Sequence, residues 1–290
     1  MRDTLARWRG NRDRSRTDNS TDRGLVLDFD VTGVAPSDRR AIHDIAGRFH
    51  VGPGTAHALL DLRPDDTLLV YILADRPRMD ASVMARLAET AIRLGHRDGG
   101  TWARIAEHPA TPAHVLELMV RSQTPWPDRA AANPKADAGT VDAFLALYPH
   151  GDWSAISCRP DLTPPQIATL AERYLGSGFP DWHALARMAR LPQAPAAYLQ
   201  RLAEAMVADA ARSISGLACA RAVPALLSHP DAPIATLAQL PWDRLVDRHR
   251  AMLLARLLGT DAQAELATRL WDTFTGTVAD VARLIVAITA

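Results

Sequence analysis

The residues best able to do chemistry lie early in the chain. Asp28 and Asp30 stand two apart, with Thr32 following at the same interval, and such a carboxylate pair can supply a nucleophile or an acid and a base. His43, His50 and His57 recur every seven residues, as a metal face would. Gly52-Pro53-Gly54 breaks any helix between the last two, so they cannot form one ligand stripe. They read instead as surface or capping histidines, and no His-Glu-x-x-His or Cys-x-x-Cys spacing occurs anywhere. The same glycine pair lacks the third glycine of a dinucleotide fingerprint and follows a helical stretch rather than a strand. Lys135, the sole lysine, sits in Asn-Pro-Lys-Ala-Asp without the glycines of a phosphate loop.

The stretch from Gly24 to Ala35 resembles the first strand of a haloacid-dehalogenase-type phosphotransferase. That resemblance implies Asp28 as nucleophile and Asp30 as acid and base. The chemistry also requires a βα sheet, a basic residue and a late acidic pair, whereas the sequence that follows reads as helical. A short edge strand or extended lead-in is therefore expected here, with Pro36-Ser37-Asp38 capping the next helix. Phosphotransfer by Asp28 and Asp30 stays as an alternative function.

The elements that would position any site follow from a pattern that recurs along the middle of the chain. It runs from a large residue through an aliphatic residue at +3 and a small one, usually Ala, at +4, to Pro at +7 and Pro or Asp about three residues later. Copies begin at Val70, Trp102, Pro127 and Trp153, spaced by 32, 25 and 26 residues, with a fifth at Trp182, 29 residues on. Beyond it two overlapping registers compete, one from Ile214 and one from Val223, and a degenerate copy starts at Ala251. The i, i+3, i+4 spacing puts three apolar groups on one face of a short helix. The first proline ends that helix, and the following Pro, Asp or Thr starts a second one. Val83, Leu87, Ala88, Ala91 and Ile92 stripe one such second helix, and Ile167, Leu170, Ala171 and Tyr174 another. A pair this short cannot bury both stripes alone, so neighbouring pairs must stack. The expected fold is all-α, an α-solenoid of stacked short helical pairs with helical caps. Trp102, Trp153 and Trp182 share one repeat position, held by Val70 and Pro127 in sister copies, and are expected to pack between adjacent repeats.

Ala131-Ala132-Asn133-Pro134, Ala106-Glu107-His108-Pro109, Ala74-Asp75-Arg76-Pro77 and Leu227-Ser228-His229-Pro230 resemble the Ala-x-Asn-Pro core of the leucine-rich-repeat variant (LRV) family, and more loosely the HEAT-like repeat proteins. The resemblance covers about residues 70–240. It implies a scaffold of alternating short helices and no particular chemistry. One branch of that family carries a cysteine cluster for an iron–sulfur centre; Cys158 and Cys219 are isolated, so no cofactor and no metal is expected.

Residues 1–24, with seven arginines and four aspartates, read as a disordered basic arm. Residues 25–69 are expected to cap one end of the repeats at 70–241, through Ile42, Ile45, Ala46 and Phe49 and then Ala58, Leu59, Leu60 and Leu62. Residues 242–290 would cap the other, through Leu245, Met252, Leu253 and Leu257, then Leu266, Leu270 and Phe274, then Val278, Val281, Leu284 and Ile285, all in one continuous domain. No signal-peptide or membrane-spanning run appears, and two lone cysteines suit a reducing cytoplasm. The function expected is a non-catalytic protein-interaction scaffold or adaptor that binds a partner protein on the concave solenoid surface. Its contacts would lie on the polar faces of the second helices: Arg86, Glu89, Arg93, Glu117, Arg121, Glu172, Arg173, Arg201 and Glu204. A HEAT-like nucleic-acid-binding or DNA-glycosylase role is the other alternative. Residues 70–241 hold 16 basic and 16 acidic side chains, so no net field draws phosphates, and nucleic acid is not the expected partner.

Overall fold

A computed structural model describes residues 27–48, 51–96, 98–178, 180–212, 218–259 and 274–289. The arm at 1–24, Phe49 and His50, the copy start at Ile214 and the helix expected through Leu266 and Leu270 lie outside the described residues. Among the described residues every regular element is helical and none is a strand. The chain divides into two compact units, Met1–Leu147 and Tyr148–Ala290.

In the first unit eight helices follow one another: α1 (Arg39–Ala46), α2 (Pro53–Leu62), α3 (Thr67–Ala74), α4 (Ala81–Arg93), α5 (Gly99–Glu107), α6 (Ala113–Arg121), α7 (Pro127–Ala132) and α8 (Ala138–Leu147). Their starts obey local chemistry. Asp38, Asp66, Asp80 and Asp98 each accept hydrogen bonds from the first-turn N–H groups of the helix that follows, which would otherwise be unpaired. Their ends fall where the sequence requires, at Arg76-Pro77, His108-Pro109 and Asn133-Pro134. The odd-numbered helices pack in succession, α1 on α3, α3 on α5, α5 on α7, while α2 lies on α4 and α6 on α8. Between these layers sit Leu69, Val70, Leu73, Val83, Leu87, Trp102, Ile105, Leu116 and Phe144, all but sealed from solvent.

The second unit holds α9 (Pro164–Gly176), α10 (Trp182–Met188), α11 (Ala196–Arg212), α12 (Val223–Leu227), α13 (Ile234–Leu237), α14 (Asp247–Leu258) and α15 (Val278–Thr289), with 3₁₀ turns at Ile156–Cys158, Ala218–Ala222 and Trp242–Arg244. Thr163 and Gln166 form a reciprocal capping box on α9. Again alternate helices touch: α9 with α11, α11 with α13, α10 with α12, α12 with α14.

Three details refine the sequence reading. The lead-in at Asp28 makes a single parallel bridge, Leu27 to Val51, and no strand. The copy at Trp153 forms a 3₁₀ turn because the side chains of Ser157 and Cys158 both reach back to the carbonyl of Ser154 and compete for the bond a helix would use. Near residue 220 the register starting at Val223 has a helix, Val223–Leu227, and residues 251–258 of the last copy lie within α14.

Candidate functional site

Asp28 has a structural task. Its Oδ1 accepts from Thr55 N–H at 2.9 Å, at the start of α2, whose own N-cap residue is Gly52 and offers no side chain. A Cβ on Gly54 would come within 2.9 Å of the Asp28 carboxylate, so the glycine admits the cap. Asp30 accepts from the N–H and hydroxyl of Thr32. Neither aspartate stands on a sheet. The two described histidines of the seven-residue series also separate: His43 bonds Asp66, and His57 bonds Ser82 and Arg86. Among the described residues no three His, Cys, Asp or Glu side chains could hold a metal together.

The nine expected contact residues are largely engaged with their own chain, and three of them, Arg86, Arg93 and Arg201, find partners about one repeat earlier. Arg86 of α4 pairs with Asp61 of α2, and Arg93 with Asp65 at 2.8 Å and Pro64 O at 2.6 Å. Arg201 of α11 pairs with Glu172 of α9 at 2.8 Å. Within single helices, Glu117 pairs with Arg121 and Glu204 accepts from Gln200. Glu89 is exposed. Arg173 turns inward, its guanidinium carbon 5.3 Å from the Trp153 ring centre, and burial lowers its pKa. The exposed pairs contribute about 0–1 kcal/mol each, so they shape the surface more than they hold it.

A second set of side chains reaches back at the ends of three first helices. Arg76 Nη1 donates to Gly47 O at 3.0 Å, His108 Nε2 to Arg76 O at 3.0 Å, and Asn133 Nδ2 to Ala106 O at 2.6 Å and His108 O at 3.2 Å. These residues occupy the same place, immediately before the proline. His108, Asn133 and His229 also use their remaining acceptor alike, on the N–H two residues on. Gln193 repeats the backward reach in the second unit, donating to Pro160 O and Leu162 O at 2.9 Å each.

Of the three tryptophans at the repeat's first position, Trp102 and Trp182 are buried, and Trp102 donates to His96 O at 2.7 Å. Trp153 stays half-exposed, edge-on to Tyr174 with ring centres 5.6 Å apart.

Two features escaped the sequence reading. Asp66 is sealed from solvent with Arg39 Nε at 2.9 Å, His43 Nε2 at 3.1 Å and Arg63 Nη2 at 3.7 Å from one oxygen, while the other caps α3. Burial alone would raise its pKa; Arg39, the Leu69 N–H and His43 overcome this and bring it down to about 2. A shallow hollow of about 370 Å³ lies beside it, lined by Pro36, Ser37, Leu62, Arg63, Pro64 and Asp65. The second is Trp126, 43% exposed at the start of α7. Its signal was the break in a pattern, tryptophan where sister helices start on aspartate.

No family model, no curated protein and no solved structure matches the chain. Among the described residues no helix is long and apolar enough to cross a membrane.

Proposed function

We propose that the chain is an α-solenoid of LRV-like helical pairs that serves as a non-catalytic scaffold, binding a partner protein along its second helices. The observation that carries this reading is the backward reach of equivalent residues. Arg76, His108 and Asn133 each tie the end of one first helix to a backbone carbonyl at the end of the first helix before it. Such ties fix the stacking of pairs through the backbone, which leaves outward side chains free to vary with a partner. The second helices and the turn after α2 then present alternating charge, Asp61 with Arg86, Asp65 with Arg93, Glu172 with Arg201, a surface suited to a polar protein face rather than to a polyanion. The two cysteines are unbridged, in keeping with a reducing cytoplasm as the proposed location.

The test is capture of a partner by the full chain from nuclease-treated lysate, beside a variant with Arg86, Glu117, Arg121, Glu172 and Arg201 reversed in charge. A protein retained by the wild type and lost by the variant supports the scaffold. A partner lost on nuclease treatment favours nucleic-acid binding instead.

A further inference from the structure

Trp126 is held in a conformation that its own sequence opposes. Its φ of 64° and ψ of 48° lie in the left-handed region, which a bulky residue avoids, and it precedes Pro127, which disfavours helical backbone in either hand. It also occupies the N-cap of a first helix. Asp66, Asp98 and Asp181 fill that position on α3, α5 and α10, each accepting two first-turn N–H bonds, while Trp126 makes none. A neighbouring element is shaped to admit the indole: a Cβ on Gly99 would lie 2.7 Å from Trp126 Nε1. Arg129 stacks on the ring at 4.4 Å and is itself held by Glu107. Strain, a forfeited cap and a glycine thus combine to hold an indole that remains 43% exposed.

Trp, with Arg, is the residue type that anchors protein interfaces. The charges around it select the sign of the partner. Asp98, which caps α5 and lies in the field of Arg104 and His96, adjoins the glycine at the N–H edge of the indole; Asp128 lies two residues on, and neither carboxylate is in a salt bridge among the described residues, whereas Arg129 is already neutralised by Glu107. We infer that Trp126 is the anchor of a docking surface, on the first-helix face of the amino-terminal unit, for an arginine- or lysine-bearing segment of a partner protein, whose cation stacks on the indole beside Asp98. This surface is separate from the second-helix face proposed above.

The test titrates the full chain with a hexa-arginine peptide at physiological ionic strength and follows the indole N–H resonances, that of Trp126 being the one lost in Trp126→Phe. A saturable shift of this resonance is expected, with binding at least tenfold weaker in Trp126→Ala and several-fold weaker in Asp128→Asn. Trp126→Gly, which accepts the backbone conformation, should melt at or above the wild-type temperature. Charge reversal at Arg86 and Arg201 should leave the peptide binding unchanged, which separates this surface from the second-helix reading. Unaltered affinity in Trp126→Ala, a shift with hexa-glutamate in place of hexa-arginine, or a steep fall in melting temperature for Trp126→Gly would each overturn the assignment.

Discussion

The side-chain amide of Asn133 donates to the carbonyl oxygen of Ala106, 27 residues earlier, at 2.6 Å. It donates to His108 O as well and accepts from Lys135 N–H, so one buried side chain satisfies three backbone groups in two successive helical pairs. Asn133→Ala removes the side-chain donor from Ala106 O and the acceptor from Lys135 N–H, while His108 O keeps the Thr111 N–H. We expect it to lower unfolding free energy by about 1–3 kcal/mol, read from urea denaturation. A loss within about 0.5 kcal/mol, the range of a neutral surface change, would mean that the tie is dispensable.

His108 performs the same task with an imidazole. Burial lowers its pKa below the usual histidine value, and it bonds Arg76 O through Nε2 while Nδ1 accepts from Ala110 N–H, so the neutral ring is the one that fits. The unfolded chain then binds the proton more readily, and stability falls as pH drops below about 6.5. His108→Asn, which substitutes the side chain of the sister copy, should keep the tie and reduce the loss of stability between neutral pH and pH 5. Equal pH slopes in the two proteins would contradict this role.

Asp66 governs a more acidic range. Its folded pKa of about 2 lies below the unfolded value of 3.8, so its contribution is complete above pH 4 and disappears as pH falls towards 2. The shift corresponds to stabilisation on the order of 2 kcal/mol. Asp66→Asn should be less stable at pH 7, and the gap between variant and wild type should close on titration to pH 2. A gap that stays constant would show that the carboxylate charge is not what Arg39 and His43 hold.

The two thiols should separate cleanly. Burial, and then Asp209, push the Cys219 thiol up to about 12, whereas Cys158 is exposed. An alkylating reagent at pH 8 should modify Cys158 alone in the native chain and both on unfolding. Rapid reaction of Cys219 in the native state would place it outside the core.

Much of the helical architecture was readable because prolines and aspartates mark helix ends by backbone chemistry. Pro77, Pro109 and Pro134 ended their helices as the sequence required, and the apolar positions at Val70, Leu73, Trp102 and Ile105 are buried. The 3₁₀ turn at Ile156–Cys158 was not readable, because its cause is local competition by Ser157 and Cys158 for one carbonyl. The expected contact residues were found as charged helix faces, but spacing along one helix says nothing of a carboxylate 25 to 29 residues earlier, where Arg86, Arg93 and Arg201 find theirs. Asp66 could not be singled out, since its cations come from α1 and from Arg63. Trp126 became visible only when its backbone angle and the aspartates of sister helices could be set side by side.

The central claim is that partner protein binds along the second helices. The most direct measurement is amide hydrogen exchange of the full chain alone and saturated with the protein it captures. Slower exchange in α4, α6, α9 and α11 on binding is the predicted result. Unchanged exchange in those four helices, with protection confined to residues 27–35 around Asp28, would contradict it.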